Sequence, residues 1–243
     1  MNITRNWKRF VAVGCSHGEH MLPAAGEAVL KFVDKFKPTH RIHLGDAFDL
    51  PALRRGAQGT SDEMAPIHQD VTAGRDFLNK LRPTIFTAGN HDFVRVDRFL
   101  SDHRSMVREH AQMIHDRMME PLKRHKTQVF QWDIWQPWRW GGFNWSHGFS
   151  YGANYIRKTA LHRGNSVIAH GHWAGSATAE REDGASCFAV GTLANIPAMD
   201  YAATRFATYG WNHAVLWGEG CEDRLQANLH TWQRGETEWR LPI

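Results

Sequence analysis

The sequence predicts an α/β fold of two packed, mostly mixed β-sheets flanked by helices, in a single domain spanning residues 1–243. Three observations carry this. Short apolar runs each end in Gly, Asp, Asn or His. Stretches with helical spacing separate the early runs, as in alternating strands and helices. The last third loses that spacing and reads as further antiparallel strands, enough for a second sheet.

Taken in order, strands fall at residues 10–13, 41–44, 84–88, 143–145 and 167–169, each short, buried in character and followed at once by polar residues. Residues 24–36 read as a helix ended by Pro38, and residues 70–81 as another stopped by Pro83, because proline lacks the N–H that would continue the ladder. Leu100, Val107, Ala111, Ile114 and Met118 recur at helical intervals, which predicts a long amphipathic helix over 104–120, stopped by Pro121. Its other face carries Arg108, His110, His115 and Arg117 and reads as a solvated surface. Residues 178–182 and 186–190 flank Asp183-Gly184, the signal of a two-residue hairpin turn. Strands over 211–217 and 225–232 follow, with 235–239 closing the chain.

Composition narrows the functional classes. The hydrophobic fraction is 42%, and no stretch approaches the roughly 20 apolar residues of a membrane span. The polar segment 1–9 runs straight into the first strand, leaving no space for a cleavable signal, which predicts a cytoplasmic protein. Cys15, Cys187 and Cys221 are an odd number without paired spacing and read as reduced thiols. A formal net charge of +4 is compatible with anionic partners without demanding nucleic acid. The 16 histidines are more telling, because imidazole is the commonest protein metal ligand.

Functional groups of α/β folds collect at the carboxyl ends of strands. Here the first strand is followed by Gly14-Cys15-Ser16-His17-Gly18 and the second by Gly45-Asp46-Ala47-Phe48-Asp49. The third leads into Gly89-Asn90-His91-Asp92, the fourth into Ser146-His147-Gly148, and the fifth into His170-Gly171-His172. Each motif alone is weak, since Gly-Asp is usually a turn and a lone histidine is usually a hydrogen-bonded loop residue. Five in succession are a different matter, and carboxylate, carboxamide and imidazole groups together suit Mn²⁺, Fe or Zn²⁺.

In this order the motifs resemble the calcineurin-like metallophosphoesterase signature: Asp-x-His, Gly-Asp-x-x-Asp, Gly-Asn-His-Asp/Glu, a lone His, then Gly-His-x-His. The match runs from Cys15 to His172, about two-thirds of the chain. The resemblance implies a two-sheet sandwich holding two divalent transition-metal ions, Mn²⁺ first with Zn²⁺, Fe or Ni²⁺ as alternates. It implies that Asp46 bridges the pair, that Cys15, His17 and His172 complete one site, and that Asn90, His147 and His170 complete the other. A bridging hydroxide would attack phosphorus, His91 would protonate the leaving oxygen, and Asp49 would orient His91. Asp92 is read either as a supporting partner or as an N-cap.

Two residues depart from the signature. Cys15 stands where the family carries aspartate; a thiolate could ligate directly, or Cys15 could be a buried filler with Glu19 or His20 as substitute ligand. Ala169 replaces the glycine before His170. Leu50 after Asp49, and Asp92 in place of Glu, set the chain apart from the protein Ser/Thr phosphatases. The expected substrate is a small phosphomonoester or phosphodiester, probed by Asn90 and His91, with Arg54 and Arg157 close enough in sequence to reach phosphate and a nucleotide as one candidate. A nuclease acting on DNA or RNA is the second reading, and a non-catalytic metal-binding scaffold the third. Trp132, Trp135, Trp138, Trp140 and Trp145 could stack nucleobases, but packing between sheets is the reading favoured for them.

Overall fold

The computed structural model describes residues 6–199, 206–233 and 235–242. Its architecture is α/β, with two mixed sheets face to face and helices on the outer faces. The first sheet runs β11-β10-β1-β2-β3-β4, comprising β1 (Lys8–Val13), β2 (His40–His43), β3 (Ile85–Thr87), β4 (Gln128–Phe130), β10 (His213–Gly220) and β11 (Leu225–Trp232). Strands β1 to β4 are mutually parallel, and β10 joins the far side of β1 antiparallel. The second sheet runs β5-β6-β7-β9-β8, from β5 (Trp138–Trp140), β6 (Phe143–Trp145), β7 (Ser166–Ile168), β8 (Ala174–Thr178) and β9 (Ser186–Val190).

Period-2 alternation builds the layers. Phe10 and Ala12 of β1 enter the core between the sheets with Ile42, Trp145 and Val167, whereas Val11 and Val13 turn outward. There they meet Val29 and Phe32 of α1 (Pro23–Phe36) and Phe77 and Leu81 of α2 (Ile67–Leu81). α2 also packs beside α3 (Phe93–Leu100) and α4 (Ser105–Arg124), while α5 (Tyr155–Arg163) covers the second sheet through Tyr155 and Ala160. The tryptophans of residues 132–145 mostly pack. Trp138 and Trp140 stack at 5.6 Å, and Phe10 meets Trp145 edge-on at 5.5 Å.

Several boundaries differ from the sequence reading. The β8–β9 ladder closes at Thr178 and Ser186, so Asp183-Gly184 sits in a seven-residue loop over 179–185, and residues 179–182 are not strand. The loop is compact by its own bonds: Asp183 accepts from Arg181 Nε at 2.9 Å and Nη2 at 2.8 Å, and from the Ala185 N–H at 3.2 Å. Residues 235–239 form no strand; Trp239 instead packs on His213 and Trp232. Pro121 does not stop α4, which continues to Arg124 because Pro121 and Leu122 are buried in its last turn. α3, α5, β4 and β5 were not anticipated. Of the N-terminal segment 1–9, residues 1–5 lie outside the described residues. Among the described residues no helix is long and apolar enough to cross a membrane.

Candidate functional site

The loops after β1, β2, β3, β6 and β7 converge. Cys15, His17, Asp46 and His172, all buried, each offer one ligand atom, and the four atoms lie within 4.8 Å of one another. Asp46, His147 and His170 form a second such set, so Asp46 belongs to both, and His17, Asp49 and His91 form a third. Asn90 Oδ1 joins the second, 3.2 Å from His147 Nε2. Two backbone features allow this crowding. Gly45 and Gly89 carry the loops so close that a methyl on Gly89 would fall 2.1 Å from Asp46 Oδ1. Cys15, His17, Asp46, His170 and His172 themselves adopt left-handed φ angles of 51–60°, which non-glycine residues seldom do.

Acceptor groups crowd the centre, and this is the test of whether cations fit. His17 Nδ1 donates to Asp49 Oδ1 at 2.8 Å, which turns the lone pair of Nε2 toward His172 Nε2, 3.0 Å away. His147 Nδ1 donates to the Leu44 carbonyl at 2.7 Å, which aims Nε2 at Asp46 Oδ2 (3.1 Å), Asn90 Oδ1 and His170 Nδ1 (3.2 Å). His172 Nδ1 is buried without a hydrogen-bond partner. Burial opposes charge on His147, yet the adjacent Asp46 carboxylate prevails and lifts its pKa above the ordinary histidine value. Burial, then the neighbouring His17, hold His172 well below that value, and burial pushes His170 down to about 4. Positive charge is thus favoured beside Asp46 and neutral imidazole at His170 and His172, a donor set that fits divalent cations.

A second layer holds these groups in place. Asp49 Oδ1 accepts from His17 Nδ1 and also from His91 Nδ1 at 2.7 Å, tying the ligand cluster to His91. Burial would raise the Asp49 pKa, but the two imidazoles hold it well below the usual carboxylate range. Asp92 occupies the position preceding α3 but makes no capping bond. Its carboxylate accepts the N–H groups of Asp46 (2.8 Å), Ala47 (2.9 Å), Phe48 (3.2 Å) and Gly89 (2.7 Å), fixing both carboxylate-bearing loops. Ala169 is accommodated by glycine opposite, since a methyl on Gly14 would lie 2.8 Å from the Ala169 methyl.

Three supporting residues escaped the sequence reading. Asp70 on α2 accepts the N–H groups of Asp49, Leu50 and Glu19 at 3.0–3.3 Å. Burial first, then the Asp49 charge, outweigh those donors and push its pKa up to about 6. The signal was a carboxylate on the stripe of α2 that buries Val71, Gly74, Phe77 and Leu78. His43 accepts from the Gly45 N–H at 3.2 Å and meets Ser16 Oγ at 3.1 Å. Arg95 donates to the Asp49 and Leu50 carbonyls, and its Nη2 lies 3.1 Å from His91 Nε2. No sequence pattern marks it beyond its place one helical turn after His91.

A cavity of about 650 Å³ opens over the cluster, lined by Asp46, His91, His170 and His172 and walled by aromatic side chains. Arg54 and Arg157 do not line it: Arg54 pairs with Asp62, and Arg157 pairs with Glu180 on an exposed face. His20 Nε2 stands 3.7 Å from Asp49 Oδ2, and neither it nor Glu19 enters a ligand set.

Fold and site together define a two-sheet α/β sandwich that buries a Cys/His/Asp cluster at converging strand ends. No protein-family model matches the sequence, and no curated protein does. Among solved structures, the chain is similar to YfcE, a phosphoesterase from E. coli, with 18% identity over 86% of this chain and 87% of that one, at a TM-score of 0.39. It is similar to the protein TT1561 of Thermus thermophilus, with 10% identity, 89% and 99% coverage and a TM-score of 0.38. A conserved protein described as a predicted phosphoesterase from Streptococcus pneumoniae TIGR4 shares 8% identity over 93% and 99%, at a TM-score of 0.34. These are distant likenesses, and the functional reading rests on the side chains.

Proposed function

We propose that this chain is a metal-dependent phosphoesterase of the calcineurin-like kind, hydrolysing small phosphate esters. The observation that carries the reading is the pair of ligand sets sharing the buried Asp46, open to a cavity that also contains His91. Cys15, His17 and His172 would hold one divalent ion and Asn90, His147 and His170 the other, with Asp46 between them. The set containing the Cys15 thiol suits a softer ion than the one containing the Asn90 amide. Bound ions would supply a nucleophile from water near neutral pH and neutralise charge on phosphoryl oxygens.

The chain's own groups supply the rest. Asp49 fixes the His91 ring through Nδ1 and His91 lines the cavity, so Nε2 is the atom assigned to deliver a proton to the leaving oxygen. The Arg95 guanidinium can only donate, so its contact with Nε2 describes a resting arrangement. No lysine or arginine is among the described residues lining the cavity, and a polynucleotide would need a cationic track. That favours small esters over nucleic acid.

The test is turnover of bis-p-nitrophenyl phosphate and p-nitrophenyl phosphate by chain reconstituted with Mn²⁺ or Zn²⁺. His91→Asn should retain metal and lose about 10²- to 10⁴-fold in kcat, the usual contribution of a general acid. Undiminished kcat on a substrate the wild type turns over refutes the role of His91, and two tightly bound ions with no turnover on either ester refute the hydrolase reading.

A further inference from the structure

Exposed aromatic side chains concentrate at the mouth of the cavity. Tyr151 and Trp173 are 79% and 49% exposed and line it, and Tyr209, 67% exposed, stands between the lining residues Thr208 and Gly210. Soluble surfaces carry single aromatics without consequence; two lining one cavity over a polar floor, with a third between lining residues, are another matter. Trp173 is also fixed rather than merely exposed. Its backbone carbonyl accepts from the Tyr155 hydroxyl at 2.5 Å, and the Tyr155 ring fills the space beside Gly171. One side of its indole lies against Gly210, where an added methyl would be 3.2–3.4 Å from ring atoms. Trp173 follows His172 directly, so the platform and the His/Asp floor are joined by one peptide bond. Across the opening, the Tyr151 ring meets the His170 ring at 6.2 Å.

We propose that this wall selects phosphate esters whose organic part is a planar aromatic ring, as in a nucleotide, with the phosphoryl group on the His/Asp floor and the ring stacked on Trp173. The inference rests on the phosphoesterase reading and names its substrate class. The volume of about 650 Å³ lies within the range of pockets that enclose drug-sized ligands. The tryptophans of residues 132–145, by contrast, are largely committed to packing or, like Trp135, stand under the Arg163 guanidinium away from the cavity.

Calorimetric titration tests this on the metal-loaded chain carrying His91→Asn, so that ester is not consumed. The probes are adenosine 5′-monophosphate, ribose 5-phosphate and phenyl phosphate. Stacking of one base predicts that the nucleotide binds roughly 5- to 150-fold more tightly than ribose 5-phosphate. Added Trp173→Ala should erase the difference while leaving ribose 5-phosphate unchanged, and Trp173→Phe should keep most of it. Phenyl phosphate binding as tightly as the nucleotide supports the slot and assigns it to any planar ring; weaker binding supports it and assigns it to the nucleoside. Equal affinity for nucleotide and ribose 5-phosphate overturns the proposal, as does a preference that survives Trp173→Ala. Discrimination intact in a chain whose wild type hydrolyses no ester would overturn the hydrolase reading and leave the aromatic slot standing.

Discussion

Asp49→Asn separates the two ligand sets. The buried Asp49 Oδ1 accepts from His17 Nδ1 and His91 Nδ1, while Oδ2 stands 3.7 Å from His20 Nε2, so an amide nitrogen has room on that side without opposing a bonded donor. Both imidazole bonds would survive with a neutral acceptor. Hydrogen bonds to charged groups contribute about 1.5–3 kcal/mol against about 0.5–1.5 for neutral ones, so two downgraded bonds cost about 2–3 kcal/mol. A domain stable by about 5–15 kcal/mol remains folded. Its metal binding changes unevenly, because a carboxylate behind a histidine ligand typically contributes about 10- to 100-fold in affinity. His17 belongs to the Cys15/Asp46/His172 set, and Asp49 has no bond to His147 or His170. Calorimetric titration of metal-free protein should therefore show one binding step weakened about 10- to 100-fold and the other unchanged. Two steps weakened equally, or neither, would refute the assignment of Asp49 to one ion.

Two other predictions concern the same neighbourhood. In Cys15→Ala the first ligand set loses a member, so metal analysis should fall from two ions per chain toward one, whereas Cys15→Asp should keep two. A Co²⁺-loaded sample should show a thiolate-to-metal absorption band in the wild type alone, and a silent wild type would make Cys15 a filler. Asp70 gives a pH signature in metal-free chain. Its folded pKa is raised to about 6, so its stabilisation is full below about pH 4 and is lost as pH rises through the folded value. Two units at about 1.4 kcal/mol each amount to roughly 3 kcal/mol. Denaturation midpoints should therefore fall more steeply between pH 4.5 and 7 in wild type than in Asp70→Asn; parallel profiles would contradict the shift.

The parts of this fold that were legible in sequence are those with a strong local cause. β1, β3 and β7 are largely apolar runs and β2 a short one, each cut off by glycine or histidine, and α1 and α2 end near Pro38 and Pro83, so their C-terminal ends were marked. Local cause was weaker where the sequence reading failed. α5 has little apolar periodicity, and only Tyr155, Thr159 and Ala160 are buried, so tertiary contact decides it. Asp183-Gly184 has the composition of a tight turn, but Arg181 claims the Asp183 carboxylate and the loop closes wider. At the site, residues sharing a motif were readable as a group, because order along the chain mirrors order along the sheets. Asp70 and Arg95 reach the site from helices through backbone groups of residues 49 and 50. Contacts to the main chain leave no mark on the partner's side-chain identity, so a reading of residue types passes over them.

The left-handed twist at Cys15, His17, Asp46, His170 and His172 has a bearing on evolution and on engineering. Each such residue costs about 1–2 kcal/mol relative to ordinary right-handed backbone, roughly 5–10 kcal/mol for the five together. Glycine at His170 would relieve one share of that burden, about 1–2 kcal/mol, while deleting a proposed ligand, so His170→Gly should melt higher than its parent when both are stripped of ions. Selection for heat resistance alone would then erode the very positions proposed to bind, and only a screen run with ions present would keep them.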